Sequence, residues 1–233
     1  MGNRQEGVIL LHGLARTRRS MRPLATCFEQ RGYAVVNVGY PSRRDPVETL
    51  AAAAIPPAVA ALRRQGVAPI HFVTHSMGGI LLRAFLAHAS LPELGRVVML
   101  SPPNQGSELV DRLGRWGWFR RLFGPAGCQL GTGPEDLPAR LGPAAFVVGI
   151  LTGNRPAPGL ARFFPGPGDG KVSVARAQLA GMADFLVVPY GHALIMRHRL
   201  VQEQVVSFLE NGRFDRKISP CAGPVCRRCG WSI

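Results

Sequence analysis

The stretch "HFVTHSMGGILLRAFL", residues 71–86, sets one serine between a continuous apolar run and a pair of glycines. Residues 70–75, "IHFVTH", have the length and content of a buried strand, and "GGILLRAFLAHA" that follows reads as a helix. A strand-to-helix turn this sharp forces its central residue, Ser76, into strained dihedrals, and small neighbours at 78 and 79 remove the clashes. It also puts Ser76 at a helix N-terminus, where free backbone N–H groups and the dipole favour negative charge. The competing reading is a plain helix N-cap, a common use of serine. A cap, however, needs no glycine pair.

Outward from this unit the pattern repeats. "GVILL" (7–11) is a short strand ended by "HGL", and residues 17–31 carry Met21, Leu24, Ala25 and Phe28 at helical spacing. "YAVVNVGYPSR" is a second strand running into a loop, and residues 47–64 are alanine-rich and helical. Pro56-Pro57 is expected to kink or split that helix. "RVVML" (96–100), "FVVGIL" (146–151) and "FLVVPY" (185–190) are the fourth to sixth strands. A last helix is expected from about 193 to 210, with Leu194, Val201, Val205, Phe208 and Leu209 on its inner side. Short apolar strands alternating with helices indicate an α/β fold, a mainly parallel sheet of about six strands with helices on both faces. Residues 104–145 break the rhythm: no strand is evident in them, and they far exceed a usual connection. They are expected to form a small cap insertion within a unit spanning residues 1–210.

Composition narrows the setting. At 233 residues the chain is long enough for one substantial core and too short for two comfortable ones. It holds no apolar run of the roughly 18 residues that a membrane-spanning helix needs. "MGNRQEGVILLHGL" lacks the apolar stretch and cleavage site of a secretory signal, so the expected location is the cytoplasm. The net charge is +14, and 26 of the 28 basic residues are arginine. Such a balance favours anionic surfaces, nucleic acid or acidic lipid. The arginines are scattered, with no zinc-finger spacing, aromatic RNA-binding motif or basic heptads, and no nucleic-acid partner is expected. Five cysteines make an odd count, against a fully paired disulfide framework. Cys221, Cys226 and Cys229 crowd the tail 211–233 at a C-x4-C-x2-C spacing that would hold zinc only with a fourth ligand from elsewhere. The reading adopted is a flexible terminal extension without metal.

"THSMGG" resembles the nucleophile elbow of α/β-hydrolases, and "LLHGL" (10–14) resembles their oxyanion loop. The likeness covers roughly residues 7–210 and is nearest to the compact bacterial lipase and esterase branch. It differs in having Thr74, rather than a small residue, two positions before the serine, which is expected to open the turn slightly. The resemblance implies Ser76 as nucleophile and the backbone N–H groups of Leu14 and Met77 as the oxyanion site. The family order is serine, acid, histidine. Of six histidines, His192 in "VVPYGHALIM" lies between the last strand and the last helix, the family's place for the base. His12 belongs to the oxyanion loop, His71 to a strand and His88 to a helix end; His75 is expected to point away, and His198 to lie two turns into the final helix. For the acid, Asp169 in "PGPGDGKVSVARAQL" resembles the family's acid loop, with Val172 as the inward valine. Asp184 is the rival, expected at the opposite edge of the sheet, while Glu108 and Asp111 belong to the insertion.

The insertion opens with "SPPNQGS", similar to the "TPHxGS" stretch of bacterial lipases, with Asn104 and Gln105 in the histidine region. After it Leu109, Leu113, Trp116, Phe119 and Leu122/Phe123 recur at helical spacing among Arg112, Arg115, Arg120 and Arg121. This amphipathic helix suits either a lipid–water interface or an ordinary cap whose apolar face covers the site. Trp116, Trp118, Phe119 and Phe123 are the expected substrate-facing residues. The resemblance implies hydrolysis of small-molecule or lipid esters with apolar acyl groups, with no metal or organic cofactor, and allows peripheral contact with an anionic membrane. A thioesterase with the same site and a non-catalytic lipid-surface binder are the alternatives.

Overall fold

Runs of valine, isoleucine and leucine with no polar face are stable in a sheet only where both faces are covered. The computed structural model, which describes residues 5–156, 166–217, 225–226 and 231–232, lays six such runs side by side. They are β1 (Gly7–Leu11), β2 (Ala34–Val38), β3 (Ile70–His75), β4 (Leu94–Leu100), β5 (Val148–Gly153) and β6 (Asp184–Val188). Their order is β2-β1-β3-β4-β5-β6, and every neighbouring pair is parallel. Successive side chains of a strand point to opposite faces. Ile9 and Leu11 therefore enter one core, with α2 (Val47–Arg63) and α3 (Met77–Leu86). Val8 and Leu10 enter the other, with α1 (Arg22–Glu29) and α8 (Arg199–Asn211). The chain steps from β1 to β2 on one side and returns to β3 on the other, so the strand order reverses between β1 and β3. Such a reversal opens a crevice at the carboxyl ends of the strands. Register pairs Leu11 with Thr74, which brings residues 12–14 abreast of residues 75–76.

Three expectations are corrected. Helix α2 is neither split nor interrupted at Pro56-Pro57. Both prolines are exposed, as are Ala52 and Ala53, four residues before them. The carbonyls that lose an N–H partner thus lie on the solvent side, where water replaces it. The final helix is not continuous: His192–Arg197 form a 3-10 turn, His198 is extended, and α8 starts at Arg199. That break resets the helical phase, so Leu194 is exposed while Val201, Val205, Phe208 and Leu209 are buried. His198 stands at the joint, stacked on Tyr190 with ring centroids 3.6 Å apart. Lastly, the apolar spacing after residue 108 is not one helix. It is divided into α4 (Glu108–Leu113) and α5 (Gly117–Cys128), and α5 itself kinks at Gly124, where φ is 67° ahead of Pro125.

The 104–145 segment completes itself with α6 (Leu137–Arg140) and holds no strand; α7 (Val174–Ala177) follows β5. Several hydrogen bonds fasten the segment to the rest of the fold, among them those of Gln129 to Val47 and Glu48 and of Asn104 to Ala177, and one side chain makes four more. Arg83 of α3 is buried and donates to the Asn104 backbone oxygen (3.0 Å), Asn104 Oδ1 (3.2 Å), the Pro138 oxygen (3.0 Å) and the Gly142 oxygen (2.7 Å). Burial pushes its pKa down to about 10. Of the tail, Val225–Cys226 and Trp231–Ser232 pair as a short antiparallel ladder. Cys221 and Cys229 lie outside the described residues. Among the described residues no helix is long and apolar enough to cross a membrane.

Candidate active site

Strand β3 ends at His75, α3 begins at Met77, and the single residue between them has φ 54° and ψ −126°. A positive φ is unfavourable for any residue with a Cβ. Two features hold it there. The Ser76 N–H donates to the Leu100 oxygen of β4 at 2.8 Å. The bare Cα of Gly78 lets α3 approach β1, since a Cβ there would lie 2.6 Å from the Leu11 oxygen. Thr74 is fully buried beside Gly79, where an added Cβ would sit 3.3 Å from its Oγ.

His192 reaches this turn from the loop after β6. Its Nδ1 is 2.8 Å from Asp169 Oδ2, and its Nε2 is 3.0 Å from Ser76 Oγ. A carboxylate accepts only, so Nδ1 carries the proton and Nε2 is left to accept from the serine hydroxyl. Asp169 and His192 are tied by backbone as well: the His192 N–H donates to the Asp169 carbonyl at 3.1 Å. Asp169 Oδ1 accepts from the N–H groups of Lys171 (3.0 Å) and Val172 (2.9 Å). Burial alone would raise this carboxyl, but the adjacent His192 and the Val172 N–H outweigh it and hold the pKa below the ordinary aspartate value. Asp184 is occupied elsewhere, accepting from the Phe214 N–H and from Arg216.

His75 does not point away. Its ring is buried 4.9 Å from that of His192, and its Nε2 donates to the His192 carbonyl at 3.0 Å. Burial, then the neighbouring His192, keep its pKa well below the ordinary value, so it is neutral and braces the loop that carries His192. His71 is bound far from the site, to Glu6 and the Arg96 N–H.

Across the crevice, His12 lies flat on Tyr40 with centroids 4.0 Å apart. Its Nδ1 donates to the Gly13 oxygen at 2.9 Å, and the Tyr40 hydroxyl donates to the His12 oxygen. The loop is held again at Ala15, φ 53°, whose N–H donates to Ser42 Oγ at 3.1 Å. It runs close beside the start of α3, since a Cβ on Gly13 would lie 3.0 Å from that of Ser76, and the Leu14 N–H comes next in the chain. Neither that N–H nor that of Met77 has a protein acceptor among the described residues.

A cavity of about 90 Å³ opens beside Ser76. Its apolar wall includes Leu14, Leu109, Val110, Phe119, Phe123 and Leu130. Phe119 and Phe123, four residues apart on α5, face inward as expected. Trp116 and Trp118 do not line it: they are 61% and 52% exposed, on the outer side of the same segment. Trp116 precedes α5 as its extended N-cap, outside the helical phase, while on α5 itself Trp118 lies about 100° round the helix from Phe119, off the stripe that 119 and 123 share. Arg16 and Lys171 also border the cavity and carry no local sequence signal, since folding alone brings them there.

Solved structures share this architecture. A Bacillus licheniformis lipase, BlEst2 in its propeptide form, superposes with a TM-score of 0.68 at 20% identity, covering 88% of this chain and 50% of that one. The chain therefore spans half the length of that propeptide form. Phospholipase PlaB from Legionella pneumophila gives 0.62 at 20% identity, with 94% and 62% covered. A metagenomic carboxyl esterase, MGS0156, gives 0.61 at 22% identity, with 82% and 66% covered. No curated protein matches the sequence. Likeness at these identities speaks for the fold, whereas the family is established by sequence: residues 8–214 match the alpha/beta hydrolase family, and the chain belongs to it.

Proposed function

We propose that the chain is a serine hydrolase that cleaves carboxylic esters of apolar acyl groups. The observation that carries the reading is the unbroken line of hydrogen bonds from Asp169 through His192 to Ser76, ending at an apolar cavity. The hydroxyl of serine is a weak nucleophile until a base takes its proton. Ser76 Oγ attacks the ester carbonyl as its proton passes to His192 Nε2, and the negative Asp169 stabilises the imidazolium. The oxygen of the tetrahedral intermediate is met by the N–H groups of Leu14 and Met77, each donor of this kind worth ~3–4 kcal/mol. His192 then gives its proton to the leaving alcohol, and a water repeats the cycle on the acyl-enzyme. The test is release of 4-nitrophenol from esters of graded acyl length by the wild type and by Ser76→Ala. Absence of turnover with both esters and thioesters overturns the reading.

The cavity bears on chain length. About 90 Å³ is small beside the ~300–1,000 Å³ of sites that enclose drug-sized ligands. Each methylene left in water forgoes about 0.8 kcal/mol. Butyryl esters are expected to exceed palmitoyl esters in kcat/KM by about tenfold or more, and equal rates would show that α5 withdraws. The 104–145 segment acts in this reading as the cap.

Its outer side favours contact with lipid. Trp116, Trp118 and Leu122 are exposed together with Arg112, Arg115, Arg120 and Arg121. None of these arginines is ion-paired among the described residues. Aromatics among unpaired arginines suit the surface of an anionic membrane, where each basic residue contributes about 1 kcal/mol. Co-sedimentation with phosphatidylglycerol vesicles, absent with phosphatidylcholine, is expected to weaken about tenfold in a Trp116→Ser/Trp118→Ser double variant.

A further inference from the structure

An ester has two arms, and His192 stands where two cavities meet, with Ser76 bordering the first of them. One is the apolar cavity against Phe119 and Phe123. The other is an open groove of about 330 Å³ on the Asp169 side of His192, bordered by Arg155, Gly170, Lys171, Ala193, Leu194 and His198. His192 and Lys171 border both. The leaving oxygen lies at His192 Nε2, beside Ser76 in the first cavity. Because His192 and Lys171 border both spaces, an alcohol arm that passes the edge of the imidazole runs into the groove.

The charges at this junction are one-sided. Lys171 and Arg155 border the groove, and Arg16 borders the first cavity with Lys171. None of the three forms an ion pair among the described residues. The one carboxylate there, Asp169, is engaged at both oxygens by the Lys171 and Val172 N–H groups and by His192. Lys171 is one of two lysines in the chain, and its backbone is fixed on both sides. Its N–H donates to Asp169 Oδ1 at 3.0 Å, and its carbonyl accepts from Ser107 Oγ at 2.7 Å. Its side chain leaves this fixed backbone and is exposed to solvent at the rim of both cavities. Crowding by the surrounding protein, then the Arg16 cation, hold its pKa below the ordinary lysine value. Asp169 pulls the other way, but its oxygens are already engaged, so two like charges held close beside it favour a site that takes up an anion.

We propose that the substrate is an ester whose alcohol arm carries an anionic group, a phosphate or a carboxylate, held by Lys171 with Arg16 and Arg155 flanking it. The proposal rests on the ester-hydrolase reading of Ser76 and deepens it. Hydrolysis then yields an apolar acid and an anionic alcohol, with water as the only co-reactant.

The test compares three butyryl esters of one skeleton: 1-butyrylglycerol, 1-butyrylglycerol 3-phosphate and 3-butyrylglycerate, with released butyrate measured at low salt. At least one anionic ester is expected to exceed the neutral one in kcat/KM by about 10- to 100-fold, the worth of one charged hydrogen bond. Lys171→Met is expected to lower that anionic-to-neutral ratio by about tenfold or more, and Lys171→Arg to keep most of it. The phosphate and carboxylate arms identify the ion. A wild-type ratio near one, or a ratio that Lys171→Met leaves in place, overturns the proposal while the hydrolase reading stands. Failure of that reading is told apart by calorimetric titration of Ser76→Ala protein with the phosphate ester. Binding that disappears in Ser76→Ala/Lys171→Met supports the anionic subsite even without turnover, and no binding overturns it.

Discussion

Ser76→Ala is expected to lower kcat for butyryl esters by a factor on the order of 10⁵ to 10⁶ while the protein melts at or above the wild-type temperature. The size of the loss follows from how such groups cooperate. In the proposed mechanism His192 and Asp169 have no proton to manage once the nucleophile is gone, so removing one member costs about as much as removing all. What survives is the electrostatic contribution of the Leu14 and Met77 N–H groups, about 10³- to 10⁴-fold over water. Stability is kept because alanine retains the Cβ and gives up one hydrogen bond, that with His192 Nε2 beside the cavity. A protein that kept more than a hundredth of its turnover after this substitution would have another nucleophile.

Much of this arrangement is legible in the sequence, and the reasons for success and failure are physical. The strands are readable because both of their faces are buried, so that "GVILL" or "RVVML" cannot be mistaken for amphipathic surface. Ser76, Asp169 and His192 stand in loops with local signatures, and the structure brings all three together. Where phase or tertiary packing decides, the sequence is silent. Leu194 is in step with Val201 only if the helix is unbroken, and the 3-10 turn ending at Arg197 removes that premise. Trp116 and Phe119 appear to one periodic scan as the same stripe, although Gly114 ends α4 between Leu113 and the start of α5. Nothing in the sequence around His75 tells that its ring donates to the carbonyl of His192, 117 positions on. Lys171 and Arg16 lie far apart in the chain and mean nothing singly.

Arg83→Met is expected to reduce the free energy of unfolding by about 3–5 kcal/mol, read from urea denaturation. In "LLRAFL" this arginine looks like the solvent side of a helix, where a substitution costs within about 0.5 kcal/mol. Buried, it is the donor for four oxygens, on Asn104, Pro138 and Gly142. Methionine replaces its bulk but none of its N–H groups, and each buried acceptor left unpaired costs about 1–3 kcal/mol. Asn104 keeps one tie, from Nδ2 to the Ala177 oxygen at 3.0 Å, so the total falls short of the sum. That loss is a large part of the roughly 5–15 kcal/mol by which a domain is stable. A change below 1 kcal/mol would place Arg83 in water.

Ser76 holds a left-handed φ of 54°, a value that glycine adopts freely and serine does not. On folding grounds alone, mutation should drift this position toward glycine, the residue that relieves the turn. The chain instead keeps a side chain where the backbone resists one. A laboratory search that rewards only thermal endurance would therefore erode this position early, and the winners would be robust proteins that hydrolyse nothing. With Ser76 as the proposed nucleophile, selection for stability in this protein must be paired with selection for turnover, because at residue 76 the two pull in opposite directions.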